Sequence, residues 1–122
     1  MSKKPEPNDA LRNRLSRSRE ITIHVTGRRS GRTTSIPVWF VLEDNNLYLL
    51  PVHGSDTQWY KNVLTNPSIR IEAGSAEAEL KVVPITDAKR VASVVEKFRQ
   101  KYGASDVKKY YSKFDVAALV QI

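Results

Sequence analysis

Between Thr26 and Arg32 the chain reads TGRRSGR. Gly27 and Gly31 let a backbone fold tightly and present its amides, while Arg28, Arg29 and Arg32, with the Ser30 hydroxyl, gather forked donors in one loop. That combination suits the oxygens of a phosphate or a polyanion. A solvated basic hairpin loop has the same composition, and spacing alone does not separate the two readings. A second cluster, His53-Gly54-Ser55-Asp56 followed by Thr57-Gln58-Trp59-Tyr60-Lys61-Asn62, falls where a strand gives way to a helix. Free N–H groups at a helix start attract an anion or a ring carbonyl, and Gly54 admits a planar ligand closely. Trp59 and Tyr60 serve equally well as core anchors of that helix.

Other chemistries find little support. His24 and His53 are the only histidines and cysteine is absent, so thiolate metal sites and disulfides are unavailable and no metal-ligand spacing is visible. No serine lies in a nucleophile-elbow pattern, and no histidine and acid are arranged as a triad, which disfavours hydrolysis. The 122 residues suit one domain; 40% are hydrophobic and 27% charged, a balance compatible with a packed core. A net charge of +7 steers anions to the surface. It is concentrated early, at Lys3, Lys4, Arg12, Arg14, Arg17 and Arg19 and in the arginine loop. The charged start, Met1 to Leu15, carries no apolar stretch of the secretory or membrane-spanning kind, so the expected compartment is the cytoplasm.

Around these clusters, Pro5 and Pro7 mark residues 1–8 as a flexible tail, and a short helix follows from Asn8 or Asp9 to about Ser18, with Leu11 and Leu15 on one face. Flanked by arginines, that helix is also a candidate for weak peripheral membrane contact. Apolar alternation predicts strands over 21–26, 34–43, 47–52, 69–73, 78–84 and 116–122. Helices are predicted over 58–65 and from the Thr86-Asp87 cap to Tyr102, where Gly103 stops the second; Tyr110 and Tyr111 fall in a turn. Six mostly antiparallel strands in so short a chain leave open edges unless the sheet closes. The expected fold is therefore β-rich α+β: one barrel domain over 9–122, with a short N-terminal helix, a helix after strand three and a long helix before the last strand.

Taken in order, TGRRSGR, Pro37 in SIPVWF, LYLLPVHGSDTQWYKNVLTNP and SIRIEAG resemble the deazaflavin-dependent nitroreductase and quinone reductase family, from about Thr22 to Gly74. The resemblance implies a split β-barrel of the FMN-binding, pyridoxamine-phosphate-oxidase-like superfamily. It also implies hydride transfer from reduced coenzyme F-420, an 8-hydroxy-5-deazaflavin, to a quinone or nitro compound. The family's G-R-[RK]-S-G loop falls on Gly27, Arg28, Arg29, Ser30 and Gly31, to meet the cofactor's phosphate and acidic tail together with Arg32. Its ring would lie against Pro37, Val38, Trp39 and Val52 and beside His53, Gly54 and Ser55, whose amides would face the pyrimidine edge. The W-Y-x-N signature falls on Trp59, Tyr60 and Asn62. Tyr102, Tyr110 and Tyr111 are substrate-side candidates, as proton donor or as wall. Thr34 stands where relatives often carry a basic residue, and the loop before Trp59 is short. The resemblance further implies a homodimer.

FMN is the nearest alternative cofactor, since the same arginines suit its phosphate; the extra charges at Arg12, Arg14 and Arg17 favour the longer acidic tail of F-420. A basic nucleic-acid-binding barrel is the alternative of a different class. It is not expected, because Trp39, Trp59 and Tyr60 are placed in a strand and a helix and are not interleaved with arginine on one exposed face.

Overall fold

Strict alternation builds the wall of the barrel. In β1 (Ile21–Thr26), Ile21, Ile23 and Val25 are buried while Thr22, His24 and Thr26 face outward. In β5 (Ser68–Ala73), Ile69, Ile71 and Ala73 do the same. A computed structural model describes residues 9–122; the tail expected over 1–8 lies outside the described residues. The remaining strands are β2 (Thr33–Val38), β3 (Phe40–Glu43), β4 (Asn46–Leu49), β6 (Ala76–Ile85) and β7 (Ala117–Gln121). The helices are α1 (Asp9–Leu15), α2 (Gln58–Thr65), α3 (Ala88–Tyr102) and α4 (Ala104–Tyr110), with one 3-10 turn at Gly54–Asp56.

All strand pairs are antiparallel, in the order β2-β1-β5-β6-β7-β4-β3. The ten-residue β6 joins the two halves: Ala76 to Lys81 pair with β5, and Val82 to Ile85 with β7. The two end strands, β2 and β3, are consecutive in the chain and separated only by Trp39. The sheet thus curls into a half-barrel closed by chain continuity at Trp39, a split barrel of seven strands.

That closure corrects the expectation of six strands. The single strand expected over 34–43 divides at Trp39, because Val38 pairs with Ile21 in one half and Phe40 with Leu49 in the other. Side chains from the end of α3 take up the polar groups that the break leaves. Phe40 N–H donates to Tyr102 Oη at 3.1 Å, Phe40 C=O accepts from Lys101 Nζ at 2.7 Å, and Tyr102 Oη lies 2.9 Å from the same carbonyl. A second correction concerns Tyr110: the expected turn after Gly103 is the helix α4. Gly103, at φ 96°, breaks α3 and starts α4. Only Val107 of ASDVKKY is buried, so the segment carries no apolar stripe to announce a helix.

Two clusters make up the core. The barrel interior holds Ile23, Val25, Phe40, Leu47, Leu49 and Ile71, with Leu11 and Leu15 of α1 and Trp59, Tyr60 and Val63 of α2 packed into it. Leu11 and Leu15 are 2% and 1% exposed, so the helix face expected to touch a membrane is spent on the barrel. Outside the wall, Val91, Val94, Val95 and Phe98 of α3 pack with Val107, Tyr111 and Ile85, over Val41, Tyr48 and Leu119. Asp87 caps α3 by accepting from Arg90 N–H at 3.0 Å.

Lys101 makes the hinge pH-sensitive. Its ammonium lies 3.6 Å from the Phe40 ring centroid, and desolvation, then Arg19, lower its pKa from 10.5 to about 8. Between those two values the unfolded chain keeps a proton that the folded chain has released, so stability rises with pH across that window. At lower pH both states are protonated and the penalty is constant. We expect the urea midpoint of the wild type to gain more between pH 7.5 and 9.5 than that of Lys101→Met, a range below the ordinary tyrosine pKa of about 10. Parallel profiles for the two proteins would remove Lys101 as the cause.

Candidate functional site

A cleft of about 530 Å³ opens beside the hinge. Ile36, Pro37, Val38 and Trp39 form one wall, and Leu50 and Val52, after β4, form the next. Thr57 and Trp59 at the start of α2 complete the lining together with Glu20 and with Tyr110 and Tyr111 from the end of α4, which lie beside Trp39. The volume lies in the range of small-molecule sites, roughly 300–1,000 Å³, and a mostly apolar lining with aromatic walls suits a flat ring system.

Trp39 is held by its neighbours. It stacks on Tyr102 at 4.2 Å with 6° between planes, meets Tyr110 edge-on at 5.5 Å and lies 6.1 Å from Tyr111. Tyr102 stands behind Trp39 and does not line the cleft. Its hydroxyl faces Phe40 N–H, Phe40 C=O and, at 2.6 Å, Arg19 C=O, so it braces the hinge. Tyr110 and Tyr111 do reach the cleft. Burial, with Tyr102 adding to it, pushes the Tyr111 hydroxyl well above the ordinary tyrosine range, so Tyr111 is a neutral donor at every physiological pH.

The arginine loop closes on itself. Gly27 N–H donates to Arg32 C=O (2.8 Å), Gly31 N–H to Gly27 C=O (3.1 Å) and Arg32 N–H to Ser30 Oγ (3.1 Å). A side chain at Gly27 would meet Ser30 Oγ at 2.8 Å, and Gly31 has φ 69°. Arg28 is the buckle between this loop and α2: its N–H and Nη1 donate to Asn62 Oδ1 (3.2 and 2.7 Å) and its Nη2 to Gln58 Oε1 (3.0 Å). Asn62 of the W-Y-x-N signature therefore binds Arg28. Arg29, Ser30 and Arg32 stay exposed, in the loop that Arg28 fastens to α2, and outside the cleft lining.

The loop at residues 53–57 is also closed. His53 N–H donates to Thr57 Oγ1 (2.8 Å), Gly54 N–H to Pro51 C=O (3.1 Å) and Ser55 N–H to Asp115 Oδ1 (2.9 Å). The amides expected to face a ring are thus spent inside the protein, and of residues 52–55 only Val52 lines the cleft. The partner of this loop is the segment after α4. Ser112 Oγ lies 2.8 Å from His53 Nδ1, Ser112 N–H donates to Val52 C=O, Lys113 Nζ reaches Asp56 at 3.1 Å, and Ser55 Oγ–H donates to Asp115 Oδ2. The Ser55 bonds hold the Asp115 carboxyl below its usual range. Gly54 sits under this clasp at φ 55°, where a Cβ would fall 2.1 Å from Asp115 Oδ1. With its hydroxyl committed to His53, Thr57 leaves α2 without a side-chain N-cap.

Sequence reasoning missed Glu20, Ile36, Leu50 and Thr57 as cleft residues, and it missed Ser112 and Asp115 as partners of the His53 loop. No local pattern links positions some 60 apart in the chain (His53 to Ser112, Ser55 to Asp115). The fold also joins Ser35 Oγ, His24 and Glu72 Oε1, at 2.7 and 2.8 Å about the imidazole, in a polar row across β2, β1 and β5 on the outward face. Arg12 pairs with Asp9, and Arg14 reaches Ser75 on the β5–β6 hairpin. Trp59 and Tyr60 are 4% and 3% exposed, buried against the barrel core.

A family model described as an uncharacterized protein conserved in bacteria, DUF2255, matches residues 12–122. The chain belongs to that family. No curated protein matches the DUF2255 chain in sequence. Among solved structures it is similar to an F-420-H2-dependent reductase, FDR-A, at TM-score 0.65 and 18% identity, covering 84% of this chain and 94% of that one. It is similar to HutZ, the heme storage protein from Vibrio cholerae, at TM-score 0.68 and 12% identity, covering 92% and 87%. It is also similar to a 5-nitroimidazole antibiotic resistance protein from Bacteroides thetaiotaomicron VPI-5482, at TM-score 0.71 and 14% identity, covering 96% and 80%. At these identities the likeness is one of fold, the split barrel. No helix among the described residues is long and apolar enough to cross a membrane.

Proposed function

We propose that this DUF2255 chain is a cytoplasmic, homodimeric oxidoreductase that binds coenzyme F-420 and reduces a small electron-poor acceptor, a quinone or a nitro compound. The observation that carries the reading is the adjacency of an aromatic-walled cleft to the buckled arginine loop at one end of α2. The donor set fits an anionic flavin-like group. Exposed Arg29 and Arg32, with Ser30 and the uncapped start of α2, would hold its phosphate and acidic tail. Trp59, Pro37, Val38 and Val52 would flank its ring. His53, Gly54, Ser55 and Asn62 support this arrangement from behind, through the clasp and the Arg28 buckle.

When bound in its reduced form, the cofactor supplies a hydride. The chain's own part is to stack the acceptor at the Trp39, Tyr110 and Tyr111 end and to offer it a hydroxyl donor, Tyr110 Oη or Tyr111 Oη, the latter a hydrogen-bond donor more than an acid because burial raises its pKa. Val52, Tyr110 and Phe114 are large apolar side chains exposed near this mouth, at 37%, 51% and 37%, and a second copy of the chain would cover them. The reductase and nitroimidazole-resistance relatives lend the fold's support to the reaction class.

The test is titration of the protein with F-420 and, separately, with FMN, following cofactor fluorescence at low and high salt. Micromolar F-420 binding that weakens with salt is the expected result. Binding of FMN alone would move the reaction to the flavin oxidoreductases, and binding of neither would remove the cofactor reading.

A further inference from the structure

We infer that Glu20 is a charge filter at the acceptor end of the cleft and favours neutral or cationic ring compounds over anionic ones as acceptors. The inference rests on the acceptor reading above. Among the described residues lining the cleft, Glu20 alone carries a charge, and the rest are apolar or hydroxyl-bearing. Its position is held from two sides. Ile21 pairs with Val38 at the end of the β1–β2 ladder, so Glu20 and Trp39 are the residues immediately beyond that last pair, and both line the cleft. The preceding carbonyl, Arg19 C=O, accepts from Tyr102 Oη at 2.6 Å, and Tyr102 is the ring on which Trp39 stacks. The Arg19 guanidinium lies 5.3 Å from the Tyr102 ring centroid and does not line the cleft. A ring compound stacked at Trp39 therefore meets a carboxylate with no cation in the same lining.

The wider field of the molecule points the other way: at +7, the surface gathers anions. The arrangement separates the two tasks. Arginines at the α2 end receive the anionic cofactor tail, while Glu20 turns anionic acceptors away from the end where the reaction occurs. Glu20 is exposed, and even at the dielectric of water a carboxylate about 4 Å from a like charge costs about 1 kcal/mol, so an anionic ligand is expected to bind about fivefold more weakly than its neutral counterpart.

The chain's two tryptophans, Trp39 and Trp59, both line the cleft, so their quenching reads its occupancy without any cofactor. The probes are para-nitrobenzamide and para-nitrobenzoate, titrated into wild type, Glu20→Gln and Glu20→Asp, with N-acetyltryptophanamide as the collisional reference. We expect Glu20→Gln to tighten para-nitrobenzoate about fivefold and leave para-nitrobenzamide within twofold, and Glu20→Asp to keep the wild-type preference. If para-nitrobenzamide saturates the quenching but Glu20→Gln leaves para-nitrobenzoate unchanged, the filter is overturned and the acceptor site stands. If para-nitrobenzamide quenches no better than the collisional reference predicts, the acceptor site and the filter fall together.

Discussion

Gly54→Ala is expected to lower the melting temperature by about 10–15 °C, far more than any other glycine substitution in the loops. Two effects add. The left-handed backbone at φ 55° costs a non-glycine residue about 1 kcal/mol. The new Cβ would also fall 2.1 Å from Asp115 Oδ1, so the carboxylate must leave its bonds to Ser55 N–H and Oγ–H. Charge-assisted bonds of this kind contribute about 1.5–3 kcal/mol, reduced where they meet solvent, as Asp115 does. Gly31→Ala is the internal comparison: its φ is 69°, but nothing lies within 4 Å of the added methyl, so only the backbone term applies. Thermal unfolding followed by circular dichroism decides it, and equal shifts for the two variants would show that the clasp contributes nothing. Because the clasp holds Val52 and follows Tyr111 in the chain, Gly54→Ala should also perturb quenching from the cleft tryptophans.

Arg28→Met is expected to weaken F-420 binding by about 30-fold and to destabilise the chain by about 2 kcal/mol, because it removes the bonds to Asn62 and Gln58 and leaves Asn62 Oδ1 with only the Arg28 amide. Arg29→Ala and Arg32→Ala separate the two consequences. Both side chains are exposed, and among the described residues neither takes part in an ion pair. Each substitution should cost about fivefold in affinity and flatten the salt dependence, with melting temperature unchanged. Fluorescence titration at two salt concentrations, run beside thermal unfolding, checks all three. If Arg29→Ala and Arg32→Ala bind F-420 as the wild type does, the loop is not the anion cradle, and the role of Arg28 is structural alone.

Much of the frame was legible in the chain. Alternation in ITIHVT and SIRIEA marks β1 and β5, and the Asp44-Asn45-Asn46 turn marks the β3–β4 hairpin, because period-two burial and turn chemistry are local properties. The Asp87 cap and the valine stripe marked α3 for the same reason. Gly27 and Gly31 drew attention to a tightly folded loop, which Gly27 N–H and Gly31 N–H do close. Local reasoning could not divide one apolar run at Trp39, since β2 and β3 alternate without a visible break. The division exists because β1 and β4, brought together by the curl of the sheet, claim different parts of the run.

By itself, then, the sequence determined the α+β class, the barrel-forming strands, the basic loop and the aromatic residues near a strand-to-helix junction. These depend on residues within a few positions of one another. Only the tertiary structure decided that Arg28 buckles onto Asn62, that Tyr102 braces the hinge while Tyr110 and Tyr111 line the cleft, that Asp115 takes the Ser55 amide and Ser112 the His53 ring, and that Glu20 lines the cleft. The reason is distance along the chain. Pairings across 34 to 83 residues leave no period or spacing in a sequence, and form only when the curled sheet brings its ends together at one tryptophan.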